Sequence, residues 1–328
     1  MTDSPAPEAP AAPRRSSARN ILTVMTGTLA SRVLGLVRQL LFNLLFPLPL
    51  KDAFNVAYRI PNLFRELLAE GALVNAIIPV YKSLDPAERA RFAGSLTTAL
   101  FAANALVVGL GVLFAREVVW AVEAMAGLSG QASSLDTEAA VLLTRIMMPF
   151  LSGISFAALA MALLNSEERF SATAFSPLAF SVVSIAGFLA FPGSAVALAW
   201  VTTFGGFAQL LVQVPALRRH GLLPSPRLAW HPALGRTLLL MAPFAFTTGT
   251  RQFLTIILQA LLIRFPTGAV TGFNNADAVF QLFLGLFAVS PALASYPRLS
   301  EQAQRGEWPA FRDTVSSYLR LILFLCLP

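Results

Sequence analysis

The chain has 328 residues, of which 56% are hydrophobic and only 12% charged, with a net charge of +7 and a mean hydropathy of +0.66. A soluble domain carries about 25% charged residues, so the composition excludes an ordinary soluble protein and predicts an all-α polytopic membrane protein. One cysteine, Cys326, excludes an intrachain disulfide, and two histidines in one loop, His220 and His231, leave no cluster with metal-ligand spacing.

Residues 1–19 are rich in Pro, Ala and Ser and carry Arg14, Arg15 and Arg19. Such a segment cannot bury a core and reads as a disordered tail. Twin arginines ahead of an apolar stretch can mark an export signal. Here the stretch is too long, itself carries arginines and lacks a small-residue cleavage site, so a retained cytoplasmic tail is expected.

Apolar runs long enough to span a bilayer then recur over 20–46, 53–80, 93–115, 138–165, 172–192, 195–217, 234–263 and 270–293, with a ninth beginning near 312. Their connections alternate in charge. One set carries Lys82, Arg89 and Arg91, then Arg169, then Arg218, Arg219, Arg227 and Arg236, then Arg298, Arg305 and Arg312. The other carries only Lys51, Arg116 and Arg264 and includes the acidic stretch of Glu117, Glu123, Asp136 and Glu138. By the positive-inside rule the N-terminus and the basic connections are cytoplasmic. A pI near 10.5 also raises nucleic-acid binding, but no basic stripe interleaves with exposed aromatics, and the membrane accounts for the charge.

An internal echo predicts duplication. Met25-Thr26-Gly27-Thr28 opens the first span and Thr247-Thr248-Gly249-Thr250 the seventh, and each run ends in Phe-Pro (Phe46-Pro47, Phe265-Pro266). Six spans separate the copies, which fits a parallel repeat about an axis along the membrane normal. On this reading residues 20–217 form a complete six-helix lobe, 218–233 a basic cytoplasmic loop, and 234–328 the start of a second lobe. The ninth run stops about seventeen residues after it starts, short for a span, so a C-terminal truncation is expected.

The chemistry resides in arginines at bilayer depth. Each costs at least about 2.5 kcal/mol there, so several persist only where they face water, a partner or a ligand. Arg32 and Arg38, six apart, stand about 9 Å apart along the first helix and about 120° apart around it, which suits a wide cavity and not a tight clamp. Arg65 lies near the middle of the second span and is a further cavity candidate, whereas Arg59 and Arg145 lie nearer outer ends, where they snorkel to headgroups. Glu66 and Glu70 share a face of the second helix, with Arg65 about 100° from Glu66. Glu70 reads either as a proton or ion carrier or as a structural ion-pair partner. Asp52 is expected at the start of that helix, where a carboxylate suits the dipole. Asn62 and Asn75 read as polar helix packing. Arg251 and Asp277 are buried-charge candidates on the seventh and eighth spans. No nucleophile elbow, phosphate-cradling loop or HExxH run is present, so a transporter is expected and not an enzyme.

Four segments, SRVLGLVRQ, DAFNVAYRIPNLFRELLAEGALVNAIIPVY, PALRRHGLLPSPRL and ADAVFQL ahead of PRLS, together resemble the MurJ/MviN lipid II flippases of the multidrug/oligosaccharidyl-lipid/polysaccharide exporter superfamily. The resemblance runs from about residue 20 to the end and is most specific in RIPNLFR and AEGA. It implies a two-lobe transporter bundle in the bacterial inner membrane, around a cationic cavity. It also implies alternating access that carries undecaprenyl-pyrophosphate-linked disaccharide-pentapeptide from the cytoplasmic to the periplasmic leaflet. No cofactor is implied, and a coupling ion and the membrane potential stay open as drives. Membrane lipids and cell-wall synthesis proteins are the further partners, with no nucleic acid.

By the same resemblance Arg32, Arg38 and Arg65 serve the pyrophosphate, and the family's outer-loop aspartate and second-helix glutamate map onto Asp52 and Glu70; with Glu66 and Asp277, read from their own positions, these are the gating or structural charges. Where many members have Ala-Asp-Arg, this chain has Ala276-Asp277-Ala278, and Arg251 is expected to supply the missing charge. Two other readings stand beside this one: a cation-coupled multidrug or polysaccharide exporter of the same superfamily, and an inactive remnant or scaffold. The first calls for acidic cavity walls.

Overall fold

The computed structural model describes residues 15–68, 72–127, 136–284 and 305–326, with isolated positions at 287, 295, 299, 302 and 303. Among the described residues all regular structure is helical. The chain forms two compact units, Met1–Gly268 and Ala269–Pro328. The first holds α1 (Arg15–Leu45), α2 (Leu48–Leu68), α3 (Val74–Lys82), α4 (Pro86–Leu113), α5 (Ala115–Gly127), α6 (Thr137–Met147), α7 (Phe150–Ser166), α8 (Phe170–Ala190), α9 (Ala195–Arg219) and α10 (Pro232–Leu262). The second holds α11 (Ala269–Leu284) and α12 (Trp308–Cys326). Of the expected tail, residues 1–14 lie outside the described residues, and α1 already begins at Arg15.

Among the described residues four helical stretches are long and apolar enough to cross a membrane: α4, the α6–α7 pair, α8 and α9. Three expected spans differ in detail. The second is two helices, α2 and α3, and its middle (69–71) lies outside the described residues. The fourth breaks at Met148-Pro149, because a proline has no N–H to continue the ladder and instead heads α7. The third starts early, at Pro86, with Asp85 in extended conformation as the N-cap and proline at the first helical position. The acidic connection after it is itself a helix, α5, which buries Val119 and Val122.

The first unit is assembled around α9, which packs on α7 and α8, while α1 lies on α8, α2 on α6 and α3 on α7. One polar tie locks this core. The fully buried Gln213 of α9 donates its amide to the Ala157 carbonyl of α7 (3.1 Å) and to Ser176 Oγ of α8 (3.0 Å). Thr203 of α9 donates to the Ile146 carbonyl of α6 at 2.8 Å. Such bonds between apolar helices fix their rotation about their own axes, which decides which residues face inward.

Basic connections from distant parts of the chain meet at one end of this unit. Arg89 pairs with Glu167 at 3.2 Å, and His231 Nε2 lies 2.8 Å from Glu88. At the other end Arg116 pairs with Glu138.

Candidate functional site

Between α1, α2, α7 and α8 lies a cavity of about 640 Å³. Arg32 and Arg38 enter it from α1, and Tyr58, Asn62 and Arg65 from α2. The three arginines singled out on separate turns and helices are therefore walls of one space. No Asp or Glu lines it among the described residues.

Each arginine is held differently. The Arg38 guanidinium carbon sits 4.7 Å from the centre of the Phe180 ring of α8, a cation–π contact in a partly buried site. Phe180 is itself packed against Phe150 of α7, ring centres 5.8 Å apart. Arg65 Nε donates to Asn62 Oδ1 at 2.9 Å, and Asn62 Nδ2 donates to Glu66 at 2.7 Å. Asn62 thus bridges two consecutive charges that their helical angle sets about 100° apart, and brings them to 3.8 Å. Glu66 is occupied in this relay and does not line the cavity. Arg32, one turn and a half before Arg38, is exposed along the same wall.

Beyond Arg38 the cavity ends in aromatic rings. Phe42, Phe46, Phe54 and Phe188 pack with centroid separations of 5.3 to 6.2 Å. Tyr58 stacks on Phe54 nearly parallel, 5.7 Å away. At the end where α1 finishes these rings narrow the space to a pocket of about 110 Å³ that shares Arg38, Tyr58 and Phe180 with the larger one.

Several expected residues sit elsewhere. Asp52 is not at a helix start: α2 begins at Leu48, and the Asp52 carboxylate accepts the Gly268 N–H in the turn after α10. Asn62 and Asn75, expected only as packing, both line the cavity. Arg59 is half-buried outside it, and Arg145 is exposed. Asp277 is exposed on α11 in the second unit. Glu70 and the side chain of Arg251 lie outside the described residues.

The cavity also includes residues that sequence reasoning passed over: Tyr58, Phe180, Ser181 and Gln209. The last two are polar residues within apolar spans, and that was a usable signal.

The sequence profile described as lipid II flippase MurJ matches residues 41–328. The chain is 36% identical over 313 residues to the lipid II flippase MurJ of Burkholderia cenocepacia, covering 90% of this chain and 60% of that protein. It is 32% identical to the probable lipid II flippase MurJ of Bdellovibrio bacteriovorus, covering 96% and 62%. A solved structure, lipid II flippase MurJ in the inward closed conformation, superposes with a TM-score of 0.73 at 20% identity over 93% of this chain and 63% of that one. That likeness establishes the fold. The chain spans about 60% of the length of the curated relatives it matches.

Proposed function

The chain belongs to the lipid II flippase MurJ family, and from that premise we propose that its cavity carries the undecaprenyl-pyrophosphate-linked disaccharide-pentapeptide precursor across the bacterial inner membrane. The observation that carries this reading is the convergence of Arg32, Arg38 and Arg65 on one cavity with no acid in its described walls. A pyrophosphate esterified at both ends is a dianion, and the planar arginine fork meets phosphate oxygens in bidentate fashion. Arginines spread over two helices, one braced by an aromatic ring and one by an amide relay, offer several such donors in a hydrated space.

The physical task is to keep this charge out of hydrocarbon, where burying it bare is prohibitive. A cationic cavity supplies the counter-charge while the polyprenyl tail stays in lipid. Alternating access follows if the aromatic constriction beyond Arg38 opens as the opposite end closes. The drive is an ion gradient or the membrane potential.

Orientation follows the basic connections: the end where Arg89, Glu167, His231 and Glu88 meet faces the cytoplasm, and the aromatic constriction faces the periplasm. We take 20–217 as the first lobe, with α10 opening the second. Arg251 on α10 is proposed to add the positive charge absent at Ala278. The cation-exporter reading is disfavoured by the arginine-rich, acid-free described walls.

The test is a titration of the purified 328-residue chain with lipid II and with uncharged undecaprenol, alongside Arg38→Gln. Lipid II is expected to bind far more tightly than undecaprenol, and Arg38→Gln to lose about tenfold or more. Equal binding of the two lipids would overturn the pyrophosphate reading. Movement is read in proteoliposomes from the accessibility of lipid II in the outer leaflet, and no gain over protein-free vesicles would argue against transport by this chain.

A further inference from the structure

The connection between α9 and α10 does not hang free. It runs back across the start of α4 as a strap, and its inner side is pinned. The Arg227 N–H donates to the Gly94 carbonyl at 3.2 Å, and the Ser225 carbonyl occupies the place a Cβ on Gly94 would take, 2.3 Å away. His231 lies against Glu88 and sets its ring edge-on to Phe92, 5.7 Å between centres.

Beneath the strap lies a cavity of about 350 Å³, with Tyr81, Arg89, Glu167, Ser225 and Arg227 in its walls. Arg89 is already engaged, with Glu167 at 3.2 Å, the Leu84 carbonyl at 3.0 Å and the Tyr81 ring beneath it. Arg227 has no carboxylate within ion-pair distance among the described residues and is exposed. The walls therefore carry a positive excess with one arginine to offer.

The strap residues Leu223 and Pro224 also form the rim of a second space of about 200 Å³. This one is a slot between α4, α7 and α9, walled by Phe156, Leu159, Leu163, Leu210 and Val214. Its one polar wall among the described residues, Thr97, spends its hydroxyl on the Ala93 carbonyl. A cationic compartment and an apolar slot thus adjoin across Leu223 and Pro224, at the level where α4 begins and α9 ends. Leu228 (99% exposed) and Trp230 (69%) project from the same strap, beside the exposed Arg218 and Arg219. A tryptophan and basic residues together at helix ends are the signature of headgroup depth.

We propose that the strap cavity and slot form a binding site for an anionic membrane phospholipid, with its phosphate on Arg227 and one acyl chain between α4, α7 and α9. The site shares no wall residue with the arginine cavity and does not rest on the identity of the cargo carried there. A soluble phosphate has no use for the slot, and a zwitterionic lipid brings beside its phosphate an ammonium that these positive walls repel, so the two compartments together favour the anionic phospholipid.

The test is native mass spectrometry of the purified 328-residue chain titrated with phosphatidylglycerol and with phosphatidylcholine. Phosphatidylglycerol is expected to bind more tightly. Arg227→Gln, at an exposed position, should weaken phosphatidylglycerol about tenfold and phosphatidylcholine clearly less. Val214→Trp, which fills the slot, should weaken both, with helicity read by circular dichroism to confirm folding. Lipid II binding should survive Arg227→Gln, which separates this site from the cargo cavity. The proposal fails if the two lipids bind alike, if Arg227→Gln binds phosphatidylglycerol as the parent does, or if glycerol phosphate displaces the lipid at equal concentration.

Discussion

The Arg38 guanidinium rests 4.7 Å from the centre of the Phe180 ring, so this arginine is braced by an aromatic face and not by a carboxylate. The difference matters for transport. A carboxylate partner would neutralise the charge offered to an anion, whereas a ring stabilises the cation and leaves its donors free. Phe180 is in turn held from behind by Gly205 of α9, where an added Cβ would come 2.5 Å from the ring. Small residue, ring and arginine form a stack from the core into the cavity.

Phe180→Leu should therefore weaken lipid II binding by roughly threefold to thirtyfold, the range a partly desolvated cation–π contact implies. Phe180→Tyr should retain most of the affinity. Gly205→Ala should act on the same stack from the rear, lowering stability by about 1–3 kcal/mol through overpacking and weakening binding with it. Titration and thermal unfolding in detergent read both. Parent-like affinity in Phe180→Leu would show that the ring does not position Arg38.

A second expectation concerns Asn62, whose amide accepts from Arg65 and donates to Glu66. Asn62→Leu removes both bonds at once. The loss should lower stability by about 1–3 kcal/mol and allow Arg65 to close directly on Glu66, taking a positive donor out of the cavity. Lipid II affinity should fall severalfold in Asn62→Leu and recover in the double variant Asn62→Leu/Glu66→Gln, because no acid remains to capture Arg65. A double-variant titration decides it: affinity no better than in the single variant would mean that Asn62 acts only through packing.

The arginines were legible in the sequence because a charge within an apolar run has few meanings, and Arg32, Arg38 and Arg65 do share one cavity. The alternation of loop charge was legible for a similar reason, and the Arg89–Glu167 and His231–Glu88 contacts gather the basic connections at one end. What stayed hidden depends on helix rotation. Whether Asn62 and Asn75 face a neighbour or a cavity is set by ties such as Gln213 to Ala157, formed across more than fifty residues of sequence. Phe180 was invisible because an apolar residue in an apolar helix carries no mark until the arginine beside it is known. Helix α5 was missed because span-length reasoning finds long apolar runs and passes over a short amphipathic helix.

Asp52 illustrates a residue whose place changes its expected role. Its carboxylate accepts the Gly268 N–H and lies buried, fastening α2 to the turn that follows α10. Asp52→Ala should remove the acceptor of that half-buried N–H and cost about 1 kcal/mol, read as a lower unfolding midpoint. Asp52 is not among the cavity walls, so the lipid II affinity of the folded fraction should stay within about twofold. A large loss of affinity with an unchanged midpoint would instead place Asp52 in the transport machinery.

The strap offers a prediction on dynamics. The Ser225 carbonyl lies against α4 at Gly94, where any Cβ would overlap it. Gly94→Ala should push the strap outward, lengthen the 3.2 Å bond from the Arg227 N–H and expose that amide to solvent. Hydrogen exchange followed by mass spectrometry should then show peptides spanning 222–230 exchanging at least tenfold faster, with those from the α7 core unchanged. Because the strap roofs the polar cavity, the preference for phosphatidylglycerol over phosphatidylcholine should shrink in the same variant. If exchange in 222–230 stays at the parent rate, the strap is held by His231 and Glu88 alone, and the contact with Gly94 is incidental.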